Sequence, residues 1–230
     1  MPNTLFLRLE GPLQSWGERA RWSVRDTAPE PTKSGIVGLL ACALGLTGDA
    51  DLRQLSAEIR LGVRCDRPGT LLVDYHTVGG GYKKPQLLTA EGKPKISSGR
   101  PHTEQTWRSY LCDASFLAAV RAGPELIARL AEAVQRPHWP VYLGRKSCPP
   151  SRPPFEGVGD YPSLEAALEA WPLRTTAPAE EAARVRAVLD CLPGVGTLRR
   201  DEVNLRSLRT FNPRYTWDVV LNVRTQAEEV

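Results

Sequence analysis

Apolar and polar positions alternate almost from the start of the chain. In TLFLRLE, Thr4 to Glu10, the leucines Leu5, Leu7 and Leu9 alternate with Phe6 and Arg8, and Gly11-Pro12 closes the run, which predicts a strand. From Ser34 to Leu46 the period changes. Ile36, Val37, Leu40, Ala43 and Leu44 fall at helical spacing, Thr32 or Ser34 is placed to cap the helix, and Gly45 sits at its end. A short helix around Leu52 to Ser56 leads into Ile59, Leu61, Val63 and Cys65, which alternate as a strand. The turn signal DRPG, Asp66 to Gly69, then precedes a returning strand, TLLVDYHTV.

Periodicity lapses between Gly79 and Thr106, where glycines (Gly79, Gly80, Gly81, Gly92, Gly99) and prolines (Pro85, Pro94, Pro101) accumulate with no core pattern. It resumes in TWRSYLCDASFLAAV, read as one strand, and in a helix from Pro124 to Gln135 with Leu126, Ile127, Leu130 and Val134 on one face. WPVYLG, Trp139 to Gly144, is expected as a short final strand. The order is β-α-β-β-(insertion)-β-α-β. It predicts an α+β protein whose residues 1–148 form a ferredoxin-like or RRM-like domain with a protruding hairpin at about 78–107. That framework commonly carries RNA on its sheet, although a fold alone does not fix a function. Beyond it, LGRKSCPPSRPPFEG is too rich in proline for helix or internal strand. Ser163 is placed to cap SLEAALEAW, ARVRAVLDC reads as a strand, and two more strands are expected around a turn at Asn212-Pro213. Residues 149–230 are therefore expected to form a smaller, β-rich C-terminal subdomain.

Composition narrows the function classes. Hydrophobic residues make up 41% and charged residues 24%, the balance of a chain with a buried core. The apolar run from Ile36 to Leu46 is far short of the roughly 20 residues a membrane span needs, and the N-terminus lacks a signal-peptide pattern. A cytoplasmic protein with no membrane partner is expected. The five cysteines form no CxxC pair and the three histidines stand apart from them, so neither a metal site, a disulfide framework nor a cofactor is expected. The net charge of +4 is unevenly spread: His76–Tyr110 holds six Lys/Arg against two acids, Arg136–Pro154 four against none, and Arg199–Arg214 five against two. Such segments suit a polyanion if they converge, and solvated loops if they do not.

Four motifs carry candidate chemistry. PTKSG resembles the end of a P-loop, but Thr32 and Thr27 stand where that motif needs glycines, so it fails as a P-loop and ATP or GTP binding there is not expected. What remains is Lys33 beside a helix N-terminus, either a phosphate site or an ordinary capped helix with a surface lysine. Around it, Gln14, Trp16, Arg19, Arg21, Trp22 and Arg25 interleave rings with arginines; this suits stacked bases and phosphates, or core tryptophans in a long loop. In YLGRKSCPP, Arg145, Lys146 and Ser147 follow a strand end, either as an anion-binding turn or as a surface loop. His76, Tyr82, Lys83 and His102 supply acid, base and cation candidates for metal-independent RNA cleavage, although nothing in the sequence fixes their spacing.

LFLRLEGPLQSWG, followed by RDTAPEPTKSGIVGLLACALG and later by YLGRKSCPP, resembles the CasD-type subunits of type I-E CRISPR Cascade complexes, within the RAMP superfamily of RRM-like proteins. The resemblance implies a subunit that binds the repeat-derived 5′ handle of the CRISPR RNA and caps one end of the complex. It implies CasC-type backbone and CasA-type large subunits as partners, and a thumb spanning roughly Val78 to Trp107. It favours a non-catalytic role, since another subunit usually processes the RNA in type I-E systems; the alternative, an endoribonuclease cutting the repeat, is the activity of the type I-C counterpart. Carried over, Lys33, Ser34 and the helix N-terminus would hold phosphates, with Gln14 and Arg25 in the same groove. Arg145, Lys146 and Ser147 would clamp an adjacent phosphate, and Arg100 and Arg108 would contact or wedge between bases.

Overall fold

The computed structural model describes residues 1–18, 23–79, 86–175, 182–204 and 210–227. The chain runs through β1 (Thr4–Glu10), β2 (Leu13–Gln14), β3 (Val24–Arg25), α1 (Lys33–Leu44), α2 (Asp49–Glu58), β4 (Arg60–Arg67), β5 (Thr70–Val78), β6 (Ile96–Ser97) and β7 (Arg100–Pro101). It continues with β8 (Glu104–Cys112), β9 (Ser115–Arg121), α3 (Pro124–Gln135), β10 (Phe155–Gly159), α4 (Leu164–Ala170), β11 (Leu173–Thr175), β12 (Ala183–Asp190), β13 (Thr197–Asn204), β14 (Thr210–Val223) and β15 (Thr225–Ala227). The architecture is α+β. Seven strands form one antiparallel sheet in the order β10-β1-β9-β4-β12-β14-β13.

Both faces of that sheet are covered at its centre, which is why β1 and β9 are buried at nearly every position. Leu5, Leu7 and Leu9 join Phe116, Ala118 and Val120 under α1 and α3, while Phe6, Leu117 and Ala119 pack with α4 residues Leu164 and Leu168 on the opposite face. α1 forms where the pattern placed it. The Thr32 hydroxyl accepts the Gly35 N–H, and Gly45 ends the helix in the left-handed conformation at φ 75°. α4 likewise starts on Ser163, whose hydroxyl accepts the Ala166 N–H. At its other end, where Trp171 is the C-cap, the guanidinium of the fully buried Arg64 donates to the carbonyls of Leu168, Trp171 and Pro172. Arg8, which the alternation placed opposite the leucines, is also buried, bonded to Asp66 and Glu156.

The structure corrects four local expectations. WPVYLG is irregular, and the sheet edge beside β1 is taken by β10. The stretch Thr106–Val120 is two strands, not one: the chain turns at Asp113, φ 56°, between β8 and β9. β5 does not return along β4, because β4 is already flanked by β9 and β12. It pairs instead with β8 through nine residues, Thr70↔Cys112 to Val78↔Glu104, and this ribbon leaves the large sheet at Gly69 and Asp113. Its other edge is lined by β2 and β3. Finally, Asn212-Pro213 lies inside β14, beyond the last pair with β12 and opposite an irregularity in β13, where a missing N–H is tolerated.

A second buried network joins the two ends of the chain. Arg214 donates from Nε to Asp201 at 2.6 Å and from Nη2 at 2.8 Å, and also pairs with Asp190. Burial alone would raise the Asp201 carboxyl, but hydrogen bonds and charge from Arg214, with the Lys33 amide, outweigh it and hold the group below its usual range. A carboxylate depressed on folding stabilises above its unfolded value near ~4 and loses that contribution as pH falls through the folded value. The melting temperature is therefore expected to hold from pH 8 to pH 5 and to fall below about pH 4, with Asp201→Asn flattening the acid limb in calorimetric scans. An acid limb unchanged in the variant would show that Asp201 does not drive it.

Candidate functional site

A cleft of about 360 Å³ opens between segments far apart in sequence. Trp16, Val37 and Leu52 give it apolar lining, Val203 and Phe211 contribute from β13 and β14, and Arg25, Ser34 and Arg145 bring polar and cationic groups. Trp16 is 1% exposed and its indole N–H donates to Gln14 Oε1 at 3.1 Å. A side chain at Gly35 would come within 2.7 Å of that ring, so the glycine of PTKSG is what lets the tryptophan of GPLQSWG lie against α1. These two motifs form one packed unit.

The GRKS loop docks on the same unit. The Ser15 N–H donates to the Leu143 carbonyl at 3.1 Å, and Gly144 sits at φ 89° so close that a Cβ would be 1.8 Å from the Ser15 oxygen. Only glycine fits there. Arg145 is fixed by three backbone carbonyls: Nη1 donates to Ser109 at 3.2 Å, and Nη2 to Arg25 at 2.9 Å and Asp26 at 3.1 Å. Its guanidinium lies 4.9 Å from the Tyr110 ring centroid. A guanidinium has five N–H donors, so this anchoring leaves two for a ligand. Lys146 and Ser147 follow, both exposed, with Ser147 Oγ 3.5 Å from the Tyr110 hydroxyl. Arg25 is exposed in β3 and pairs in register with Arg108 of β8; Arg108 is half-buried and Arg100 exposed on β7. The cleft and the ribbon thus share a cationic margin.

Two sequence candidates are turned inward. Gln14 is fully buried, its amide donating to the Leu9 carbonyl at 3.0 Å and the Ala114 carbonyl at 2.8 Å, so it braces β1 against the β8–β9 turn. Lys33 is 3% exposed, with Nζ 2.9 Å from Glu202 Oε1 and 3.6 Å from Asp190 Oδ2. Even the helix N-terminus is taken: the Lys33 N–H donates to Asp201 Oδ2 at 3.0 Å. The site does hold an anion, as the motif suggested, but it is a carboxylate from the chain's own β13. The basic run from Arg199 to Arg214 is partly consumed in the same way, Arg199 pairing with Glu18 and Glu30.

Of the nuclease candidates, His76 lies on β5 and His102 between β7 and β8. His76 bonds to Asp74 and His102 to Glu104, at 3.1 Å in the second case. Hydrogen bonds from Lys95 and His102 hold the Glu104 carboxyl below its usual range. Tyr82 and Lys83 lie outside the described residues, as do Arg19, Arg21 and Trp22. Sequence reasoning missed Tyr110, Val203 and Phe211. Tyr110 belongs to an ordinary strand pattern, and the other two reach the cleft from more than 150 positions beyond α1 with no local signal.

This α+β protein thus sets a cleft with an apolar interior and an arginine margin beside a large antiparallel sheet and an exposed ribbon. Residues 4–223 match the model of the family described as CRISPR-associated protein (Cas_Cas5), and the chain belongs to that family. It is 39% identical over 171 residues, 69% of this chain and 72% of the relative, to the CRISPR system Cascade subunit CasD of Escherichia coli strain K12. Among solved structures it is similar to a chain of a CRISPR RNA-guided surveillance complex, with TM-score 0.80 and 34% identity over 96% of this chain and 91% of that one. A second structure, described as a Cas protein, gives TM-score 0.72 and 35% identity over 97% of this chain and 98% of that one.

Proposed function

We propose that the protein is a non-catalytic CRISPR RNA-binding subunit that holds the repeat-derived 5′ handle and caps one end of a Cascade-type surveillance complex. The observation that carries this reading is the cleft in which Arg25, Ser34 and Arg145 converge from three separate segments over an apolar lining. Phosphates suit the arginines and the face of an unstacked base suits Phe211, while the buried Trp16 backs the wall. Lys146 and Ser147 continue the track within the GRKS turn, Arg108 continues it on the ribbon and Arg100 on β7 in the ribbon's connection. Gln14 and Lys33 support the walls instead of touching the RNA.

The names of the E. coli relative and of the surveillance-complex structure support membership of such an assembly and CRISPR RNA as a partner. CasC-type and CasA-type subunits are the proposed protein neighbours, in the cytoplasm. The strand order β10-β1-β9-β4, with α1 and α3 against one face, supports a ferredoxin-like, RRM-like core. The ribbon of β5 and β8 with its connection is the proposed thumb. Sequence division near residue 148 then separates this core from the C-terminal strands, except that β10 crosses back to complete the first part.

Titration of labelled single-stranded repeat RNA in EDTA, at several salt concentrations, tests the reading. Tight binding without cleavage is expected, with a log–log salt slope of about −3.5 for ~5 phosphate contacts. A flat salt response overturns it. The hydrogen-bonded pair His76 and Asp74 favours the rival, a metal-independent endoribonuclease, because a carboxylate orients an imidazole base. Specific cleavage in EDTA, lost in His76→Ala, would establish that rival.

A further inference from the structure

Within PTKSG, Ser34 lines the cleft, but the lysine and the helix N-terminus take no direct part in it, because both are bound internally. Their partners sit side by side on β13, at the irregularity between Arg199 and Glu202. Neighbouring residues of a regular strand point to opposite faces, and a bulge relaxes that rule. Here it lets Asp201 reach the Lys33 N–H at 3.0 Å while Glu202 reaches Lys33 Nζ at 2.9 Å. Asp201 is 1% exposed and held from behind by both Nε and Nη2 of Arg214. Arg214 also grips Asp190, whose other oxygen accepts the Leu61 N–H at 2.9 Å. Two residues after Asp201 comes Val203, paired with Phe211 across the ladder, and these two form the far lining of the cleft.

We propose that Asp201 is the positioning residue of the cleft: it seats β13 and β14 on the first turn of α1, so that the site is two-sided only while this contact holds. The proposal rests on the RNA-binding reading for its functional consequence. Its physical basis is that Asp201 bonds the first turn of α1 directly between the near lining (Trp16, Ser34, Val37) and the far lining (Val203, Phe211), whereas other links of β13, Arg199 to Glu18 and Glu30 and Glu202 to Ser56, lie to either side of that turn. RNA touching both sides would favour the seated state, and seating would in turn favour RNA.

Hydrogen–deuterium exchange of the RNA-free protein and anisotropy titration of fluorescein-labelled repeat RNA are compared for wild type, Asp201→Asn and Phe211→Ala. Asp201→Asn is expected to exchange faster at the Lys33 amide and along β13. It should bind RNA about tenfold more weakly with an unchanged salt slope, because no phosphate contact is removed. Phe211→Ala removes the more exposed of the two far-lining side chains without touching an ion pair; it should show the same loss of affinity with wild-type exchange at Lys33. Wild-type exchange in Asp201→Asn overturns the seat, whether or not RNA binds. Wild-type RNA affinity in Phe211→Ala overturns the two-sided site, and decides the matter should Asp201→Asn fail to fold. Failure of the wild type to bind repeat RNA overturns the functional reading instead, and exchange then judges the seat alone.

Discussion

Lys33→Ala is expected to lower the unfolding free energy by about 3 kcal/mol, because it removes the cation from a buried cluster and leaves carboxylates facing one another. Lys33 and Asp190 side chains are each 3% exposed, so water cannot replace the ammonium at Asp190, whereas Glu202 at 25% is better hydrated. Arg214 still compensates Asp190 and Asp201, which keeps the loss nearer ~3 than 5 kcal/mol. For a chain of this size the melting temperature should drop by about 10 °C. The salt dependence of RNA binding should keep its slope. A lysine that held a phosphate would behave in the opposite way: alanine would leave thermal stability almost unchanged and reduce the slope by about 0.7. Calorimetry with a salt titration distinguishes the two, and an unshifted melting temperature would remove Lys33 from the buried cluster.

Arg145→Ala is expected to weaken repeat-RNA binding by about 30-fold and to reduce the salt slope by about 0.7, one phosphate contact on a single strand. The side chain serves twice. Its bonds to the Arg25 and Asp26 carbonyls hold the chain around β3 against the GRKS loop, and the side chain also lines the cleft. Alanine therefore removes a cation and also loosens Arg25, which makes the expected loss larger than for an isolated contact. Arg145→Lys separates the two roles. A lysine restores the charge and so the slope, but its single ammonium cannot span carbonyls of three residues, and most of the affinity should stay lost. Binding by Arg145→Ala at wild-type strength would remove the GRKS turn from the interface.

What could be read from the chain was what short-range physics decides. Thr32, Gly45 and Ser163 mark helix ends because capping needs only residues within one turn. The leucines of β1 and the apolar face of α3 follow from period alone. The resemblance of GPLQSWG, PTKSG and YLGRKSCPP to one family was also legible, and the match over residues 4–223 agrees with it. Pairing was another matter. Thr70–Val78 reads as a strand in any analysis, yet its partner is β8 because β12, more than 100 positions later, occupies the free edge of β4.

The same division runs through the site. Sequence supplies the sign of every charge but not its counterion, and a charge taken out of water must find one within the fold. Arg145 and Arg25 stayed at a solvent-facing margin and remain free to meet a ligand. Lys33, equally cationic, was enclosed by Glu202 of β13 and Asp190 of β12 when those strands closed over α1. By itself the sequence determined the family, the helices and the set of cations; which of those cations face outward was decided only by burial in the tertiary structure.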